Sequence, residues 1–348
     1  VAIYRQTVHY LNLPLAAALS VIQILFTFAL MAAYTRLQAA RSLPVELRSR
    51  QVTQRGPKGW SEMLLVTGNV TLMLLMLVLP LLALVQRSLT LGGRPSLAYY
   101  RALFRNPRGS AFYVPPIAAV RNSATFALAT VALSVVLGLM AASLLQRRER
   151  GSSSQRGDGG SQDGDGSALG SAWRTLQGGL DPILMLPLGT SAVTLGLGYI
   201  VALDEPPLDL RTSPLLVVLA HTLVALPFVV RSVLPALRSI QPQLRETAAI
   251  LGASPWLVWR EVDLPIVARA VLVGAVFAFT VSMGEFGATS LIARPERPTM
   301  PVAIFRFLGR PGTINYGQAL AMSTLLMLVC TVGFLAIERF RVGGREEF

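Results

Sequence analysis

Two side chains in this 348-residue chain are placed for proton or cation chemistry inside long apolar runs, His221 and Glu285. An ionisable residue in a run of membrane length is a functional candidate by default. Glu285, set between Gly284 and Gly287 in SMGEFGA, is open to two uses. It lines a solute path or gate, or it bonds to a neighbouring helix or reaches the interface. His221 is read first as a satisfied structural histidine, because no second His, Cys or carboxylate stands at ligand spacing; contact with a cationic or metal substrate is the other reading. Thr190, Ser191 and Thr194, interleaved with Gly189, Gly196 and Gly198, give one stretch a small, weakly polar character. Helix packing is its first explanation and lining a translocation path its second. Asp181 before Pro182 reads as a helix cap. Tyr99, Tyr100 and Phe104 read as an interfacial anchor. Cys330, the single cysteine, permits no intrachain disulfide and no cysteine metal site, and reads as a small hydrophobe in a helix. No GxxxxGK[ST], HExxH or GxSxG occurs, so the chain supplies neither the usual phosphate-binding loop nor a protease or lipase centre.

A further candidate is a surface rather than a reacting group. Glu246–Pro265, ETAAILGASPWLVWREVDLP, lies between two long apolar runs and is too structured for a plain connector. Helical spacing sets Ala248, Ala249 and Leu251 on a narrow face beside Glu246, and Trp256, Leu257 and Trp259 crowd the following turn. The pattern predicts about two helical turns, a break at Gly252, and about two more turns ended by Pro265. It is a docking surface or an ordinary amphipathic hairpin.

The elements that carry these residues are membrane spans. The composition is 53% hydrophobic and 14% charged, with a mean hydropathy of +0.55. A soluble domain carries roughly 25% charge. The net charge of +13 comes from residues scattered between apolar runs, nearly all of them Arg, which is membrane-flanking charge and not a nucleic-acid footprint. A bilayer-crossing helix needs roughly 20 mainly apolar residues. Such runs occur at about Leu13–Ala33, Leu64–Val85, Ser123–Leu145, Leu180–Leu203, Pro214–Leu234, Ala270–Ala293 and Gly317–Ile337. Between them, Thr35–Trp60 is basic, Arg147–Thr175 passes from RRER into a Gly/Ser/Asp tract expected to be a flexible loop, and LAYYRALFRNP reads as a short amphipathic surface helix. Placing Thr35–Trp60 in the cytoplasm puts Glu246–Pro265 there too, and the larger share of basic residues falls on that side.

An internal repeat gives the first forty residues a meaning. Val1–Arg5 reads VAIYR and Val302–Arg306 reads VAIFR; without a gap, Ala18-Leu19 then falls on Ala319-Leu320. Both copies run into an apolar helix with a basic end. The expectation is the last helix of one membrane unit (1–36), a cytoplasmic linker (37–60), a complete six-helix unit (61–341) and a cytoplasmic tail (342–348). With no initiator Met and no signal-peptide pattern at Val1, the chain reads as part of something longer that lacks a preceding unit.

Glu246-Thr247-Ala248, Gly252 six positions after the Glu, and Val262-Asp263-Leu264-Pro265 resemble the EAA signature of ABC importer permeases. The spacing is kept at every position, with Thr247 in place of an Ala and Val262 in place of an Ile. The resemblance spans about Trp60–Arg341. It implies an all-α, multi-pass protein of the bacterial inner (plasma) membrane, with a six-helix type I (MetI-like) importer domain that works by alternating access. It implies partners too: a separate ATPase dimer that binds ATP and Mg, and a periplasmic or lipoprotein solute-binding protein. Neither a cofactor nor a nucleic acid is expected on this chain, which is then a permease and not an enzyme. The resemblance makes Glu246, Thr247, Ala248, Ala249, Gly252, Leu264 and Pro265 the ATPase-coupling loop. There Glu246 caps a helix N-terminus or pairs with an ATPase Arg, and Gly252 allows the turn. Glu285, Thr190, Ser191, Thr194 and His221 remain candidates for the path or gate. SMGEFGA and MPVAIFR, with Asn315–Ala319, are similar to the fused two-unit permeases for ferric iron or thiamine, with sulfate and polyamine permeases as looser relatives. Ferric iron is the expected substrate and thiamine its alternative. An ion-coupled secondary transporter is the competing class, but only Glu285 offers an intramembrane charge for coupling.

Overall fold

The computed structural model describes residues 3, 5–6, 10, 12–40, 56–57, 59–104, 115–157, 183–203 and 209–342. Among these described residues, six helices are long and apolar enough to cross a membrane: Pro14–Ala33, Trp60–Ser88, Pro116–Gln146, Leu215–Ser239, Pro255–Gly284 and Thr313–Ala336. They lie in the full elements α1 (Leu13–Ala40), α2 (Trp60–Ser88), α4 (Pro116–Gly157), α7 (Leu215–Ser239), the run from Pro255 to Gly284, and α13 (Thr313–Val342). A two-stranded hairpin, β1 (Thr90–Leu91) and β2 (Arg94–Pro95), leads from α2 into the short α3 (Ala98–Ala102).

The fourth expected span, Leu180–Leu203, is not a straight crossing. It is α5 (Ile183–Gly189) and α6 (Ala192–Ala202), bent by 118° at Thr190 and Ser191. Ser191 is extended (φ −63°, ψ 130°), so the helical hydrogen-bond ladder restarts there. Neither arm alone reaches the length a bilayer requires. The Asp181 cap lies outside the described residues.

The span expected over Ala270–Ala293 also differs. Its helix ends at Gly284, where Glu285 turns extended (ψ 122°), and α11 (Thr289–Ile292) and α12 (Met300–Leu308) follow. Glu285 therefore sits just past the end of the membrane helix, not within it. The helix α4 continues through RRER to Gly157, well past the expected end at Leu145; Gln146–Arg150 are strong helix formers. The remainder of the Gly/Ser/Asp tract, residues 158–175, lies outside the described residues.

The core is a triangle of α4, α7 and the Leu264–Gly284 helix. Gly138 and Gly274 both lie against Val229; a Cβ at Gly138 would come within 2.5 Å of the Val229 side chain, and one at Gly274 within 3.2 Å of its Cα. Small residues let these backbones approach, the main source of helix association where lipid is as apolar as the side chains. Around Val229, Val230, Val233, Ala142, Ala225 and Ala278 are fully buried. A second cluster joins α3, α12 and α13, with Cys330 packed at its edge. There Tyr99 is buried against Gly317, where a Cβ would meet its ring at 2.0 Å, and the Tyr100 hydroxyl lies 2.9 Å from Ser88 Oγ. The expected aromatic anchor is thus mostly internal packing, with Phe104 alone of the three exposed.

The repeat carries over into helix boundaries. The shift that sets Val1 on Val302 sets Leu13 on Ile314 and Ala40 on Arg341; α1 spans Leu13–Ala40 and α13 spans Thr313–Val342. α1 thus continues past the expected boundary at 36. The two copies have different neighbours. α13 packs on α2, α3, α12 and the Leu264–Gly284 helix, whereas α1 rests against the bend at Gly189–Thr194.

Candidate coupling loop and buried polar network

The segment after α7 is built from local signals. Gln241 is extended and Pro242 opens α8 (Pro242–Ile250), where its missing N–H costs nothing and its φ is already set. At the far end, Gly252 N–H donates to Ala249 O and Ala253 N–H to Ala248 O, both at 3.0 Å, with Gly252 at φ +85°. This pair of bonds around a left-handed residue is the Schellman arrangement, which glycine adopts without a Cβ penalty. Ser254 then caps α9 (Pro255–Val258) by accepting from Leu257 N–H at 3.4 Å, and Pro255 again takes the first position.

Pro265 does not end the second arm. The chain passes from α9 through a π turn, Trp259–Asp263, directly into α10 (Leu264–Gly284). Pro265 cannot donate to the carbonyl four residues back, and a wider turn placed just before it lets the helix continue without that bond. Nor does Glu246 cap a helix start: Gln241 and Pro242 occupy those positions, and Glu246 lies exposed in mid-helix.

Arg245 Nε donates to Asp263 Oδ1 at 2.6 Å and ties α8 to the foot of α10. Both side chains are largely shielded, at 20% and 12% exposure. A charge-assisted bond of this kind contributes about 1.5–3 kcal/mol. Trp256 and Trp259 stack with centroids 4.9 Å apart. Outside this braced frame the surface is apolar: Ile250 is 85% exposed, Leu251 82% and Trp256 66%. Thr247 and Ala249 are exposed with Glu246, while Ala248 and Leu264 are half-buried.

The other predicted residues converge at the opposite end of α7 and α10. His221 Nδ1 lies 2.7 Å from Ser282 Oγ, and His221 Nε2 lies 2.7 Å from Thr289 Oγ1 and 3.4 Å from Glu285 Oε2. Glu285 Oε1 accepts from Ala288 N–H at 2.9 Å; Oε2 accepts from Thr289 N–H at 3.0 Å and from the Thr289 hydroxyl. The single Thr289 hydroxyl proton goes to the carboxylate, so that oxygen accepts from Nε2–H, and a neutral His221 accepts the Ser282 proton at Nδ1. All four residues are buried, with His221 at 1% exposure and Thr289 at 0%. Among the described residues no group of three or more His, Cys, Asp or Glu could hold a metal ion.

The bent pair braces this network from outside. A Cβ at Gly196 would meet the Ala288 backbone at 2.8 Å, and one at Gly287 would meet Ala192 at 2.7 Å. Thr194 Oγ1 donates to Gln23 Oε1 of α1 at 2.9 Å, Thr27 Oγ1 donates to Gly189 O at 3.2 Å, and Thr190 Oγ1 donates to Leu186 O at 2.8 Å. Ser191 is half-buried at the bend.

Sequence reasoning brought neither Asp263 to Arg245 nor Ser282 and Thr289 to His221. Ser282 and Thr289 flank Glu285, but the chain leaves the helix at Glu285, so helical spacing does not bring them to His221.

Comparison with known proteins fits this arrangement. The profile of the family described as "Binding-protein-dependent transport system inner membrane component" matches residues 166–341. The putative 2-aminoethylphosphonate transport system permease protein of Salmonella typhimurium (strain LT2) is 35% identical over 154 residues, 43% of this chain and 58% of that one. The molybdenum transport system permease protein of Mycobacterium tuberculosis (strain H37Rv) is 34% identical over 171 residues, 45% of this chain and 63% of that one. The sulfate transport system permease protein of Escherichia coli (strain K12) is 32% identical over 178 residues, 47% of this chain and 61% of that one. The chain thus matches less than two thirds of the length of each of these curated relatives. Among solved structures, a bacterial ABC transporter involved in the import of the acidic polysaccharide alginate shares the fold, with a TM-score of 0.54 at 16% identity over 83% of this chain and 96% of that chain. The chain belongs to the family of binding-protein-dependent transport system inner membrane components and is a multi-pass membrane protein.

Proposed function

We propose that this chain is a permease unit of an ATP-driven importer, with Gln241–Pro265 as the seat of a separate ATPase. One observation carries the reading. The loop presents Ile250, Leu251 and Trp256 outward from a frame braced by the Gly252 turn and the Arg245–Asp263 bond. Exposed apolar side chains clustered on a braced polar-rimmed loop mark a protein-binding surface. Its two ends join α7 and α10, the helices of the core triangle, so a push on the loop is delivered to the whole bundle as a rigid-body movement. Without a phosphate-binding loop of its own, the chain takes ATP hydrolysis from that partner. A solute-binding protein would meet the opposite end of the bundle. The helix α1 is the last helix of an equivalent preceding unit, a reading supported by its matched boundaries with α13.

The substrate class that the relatives bring to this chain is a small oxyanion, since two of them are named for 2-aminoethylphosphonate and sulfate. Ferric iron is the second reading, favoured by SMGEFGA and MPVAIFR. ATP-dependent uptake in vesicles containing the chain, its ATPase and its binding protein tests both at once. Vanadate-sensitive uptake of sulfate or 2-aminoethylphosphonate supports the first, uptake of ferric iron the second. Uptake driven by a proton or sodium gradient without ATP would overturn the importer reading. Glu246→Lys should leave the chain in the membrane and abolish the coupling of hydrolysis to uptake; normal transport by this variant would remove the loop's role.

A further inference from the structure

At the end of the bundle away from the coupling loop, a cavity of about 270 Å³ opens between the start of α7 and the segment after α11. The length of α7 puts it about 37 Å from that loop, at 1.5 Å per residue. Its inner wall is apolar, formed by Phe126, Val217 and Ile292, each under a tenth exposed. The exposed residues Arg294, Glu296 and Arg297 also line the cavity, as do Thr212 and Ser213.

The rim is shaped by a turn. Arg297 N–H donates to Arg294 O at 3.1 Å, and Pro295 occupies the second position of the turn, where its fixed φ is favoured. The two ends of such a turn are close in space, so two guanidinium groups are brought to one opening. Among the described residues, neither guanidinium makes a side-chain hydrogen bond or an ion pair. Glu296, the one carboxylate on the rim, also acts on Arg306. Burial and the nearby Arg310 push that guanidinium below its usual range, and Glu296 opposes them. Two cations face one carboxylate, leaving the opening net positive.

The size suits one small anion. At about 270 Å³ the cavity admits a tetrahedral oxyanion with a short apolar tail. Guanidinium forks match phosphonate and sulfate oxygens in pairs, the hydroxyls of Thr212 and Ser213 can donate to a third oxygen, and the apolar wall accepts a methylene. The first turn of α7 has no acidic residue to repel such a guest. We propose that this cavity is an oxyanion-binding site at the mouth of the translocation path, with Arg294 and Arg297 as its recognition residues. The site deepens, and rests on, the reading of the chain as a permease for small oxyanions.

The test is equilibrium binding of radiolabelled sulfate to the full chain in lipid nanodiscs, with 2-aminoethylphosphonate as competitor. Saturable, competable binding is expected, falling about tenfold or more for each of Arg294→Gln and Arg297→Gln. The double Arg→Lys variant keeps both charges, loses the paired geometry, and should fall between the two. No saturable sulfate binding by the wild-type chain, or equal binding by the double Arg→Gln variant, would overturn the site. ATP-dependent sulfate uptake by the assembled transporter separates this failure from the broader one. Uptake that persists unchanged in the double Arg→Gln variant removes the cavity and leaves the permease reading standing. Sulfate binding to the isolated chain with uptake that ignores ATP does the reverse.

Discussion

The two ends of α7 and α10 carry opposite chemistry. At one end, Gln241–Pro265 holds apolar side chains out in the open, with Ile250 at 85% and Leu251 at 82% exposure. At the other, the return from Gly284 holds His221, Ser282, Glu285 and Thr289 inside, the Glu at 6% exposure. Each is the wrong way round for a self-contained protein, and the two inversions have different causes. Buried polar groups are tolerated only when every donor and acceptor is matched, and here they match one another, which pins the chain reversal at Gly284–Thr289 to α7. Ile250 and Leu251 stay uncovered among the described residues, which suits the protein-binding surface proposed above. The buried end therefore holds the bundle together, and the exposed end is the surface proposed above for the ATPase.

That contrast predicts a graded series of losses. Glu285→Ala should cost most, about 3–5 kcal/mol, because it strands two backbone N–H groups, the Thr289 hydroxyl and His221 in a buried site. Thermal unfolding in detergent reads this as a large fall in Tm, with Glu285→Gln falling less because one oxygen still accepts. A Tm equal to wild type for Glu285→Ala would erase the distinction between the ends. Asp263→Ala should cost about 1.5–3 kcal/mol, and a double-mutant cycle with Arg245→Ala should return most of that as coupling between the two. Additive single losses would mean that the pair does not brace the loop. Gly252→Ala should cost about 1–2 kcal/mol, from a Cβ forced to φ +85° with open space around it. The paired change Ile250→Ser with Leu251→Ser should alter stability by less than about 0.5 kcal/mol while weakening ATPase association about tenfold or more, read by co-purification and ATP-coupled uptake. A large Tm loss with ATPase binding intact would show that these side chains serve the fold after all.

How far the molecule was legible depends on the range of the forces involved. The loop could be read because its signals are local: Pro242 and Pro255 open helices, Gly252 supplies the left-handed turn, and the apolar residues between them follow a helical period. The spans were legible for the same reason, since their length and hydropathy are properties of short windows. The end of the sixth span was misjudged, because Gly284-Glu285 breaks a helix within an unbroken apolar run, and what rewards the break is a histidine on another helix. Pro265 misled in the opposite sense: a proline normally stops a helix, yet a π turn carried this one through. The bend at Thr190 and Ser191 was hidden because glycine and threonine suit packing and bending equally.

From the sequence alone follow the membrane class, the number and placing of the apolar runs, the repeat that relates α1 to α13, and the spacing that identifies the loop. All of these rest on hydropathy and backbone preference over a few turns of helix. The tertiary structure alone decided which ionisable groups meet. Ser282 and Thr289 stand 61 and 68 positions from His221, and nothing local in either segment encodes their approach. It also decided that Arg245 is paired with Asp263 while Arg294 and Arg297 line a cavity with no ion pair among the described residues. Side chains of one type acquire different roles only when packing chooses their neighbours, because electrostatic pairing acts over a few ångströms of space and not along the chain.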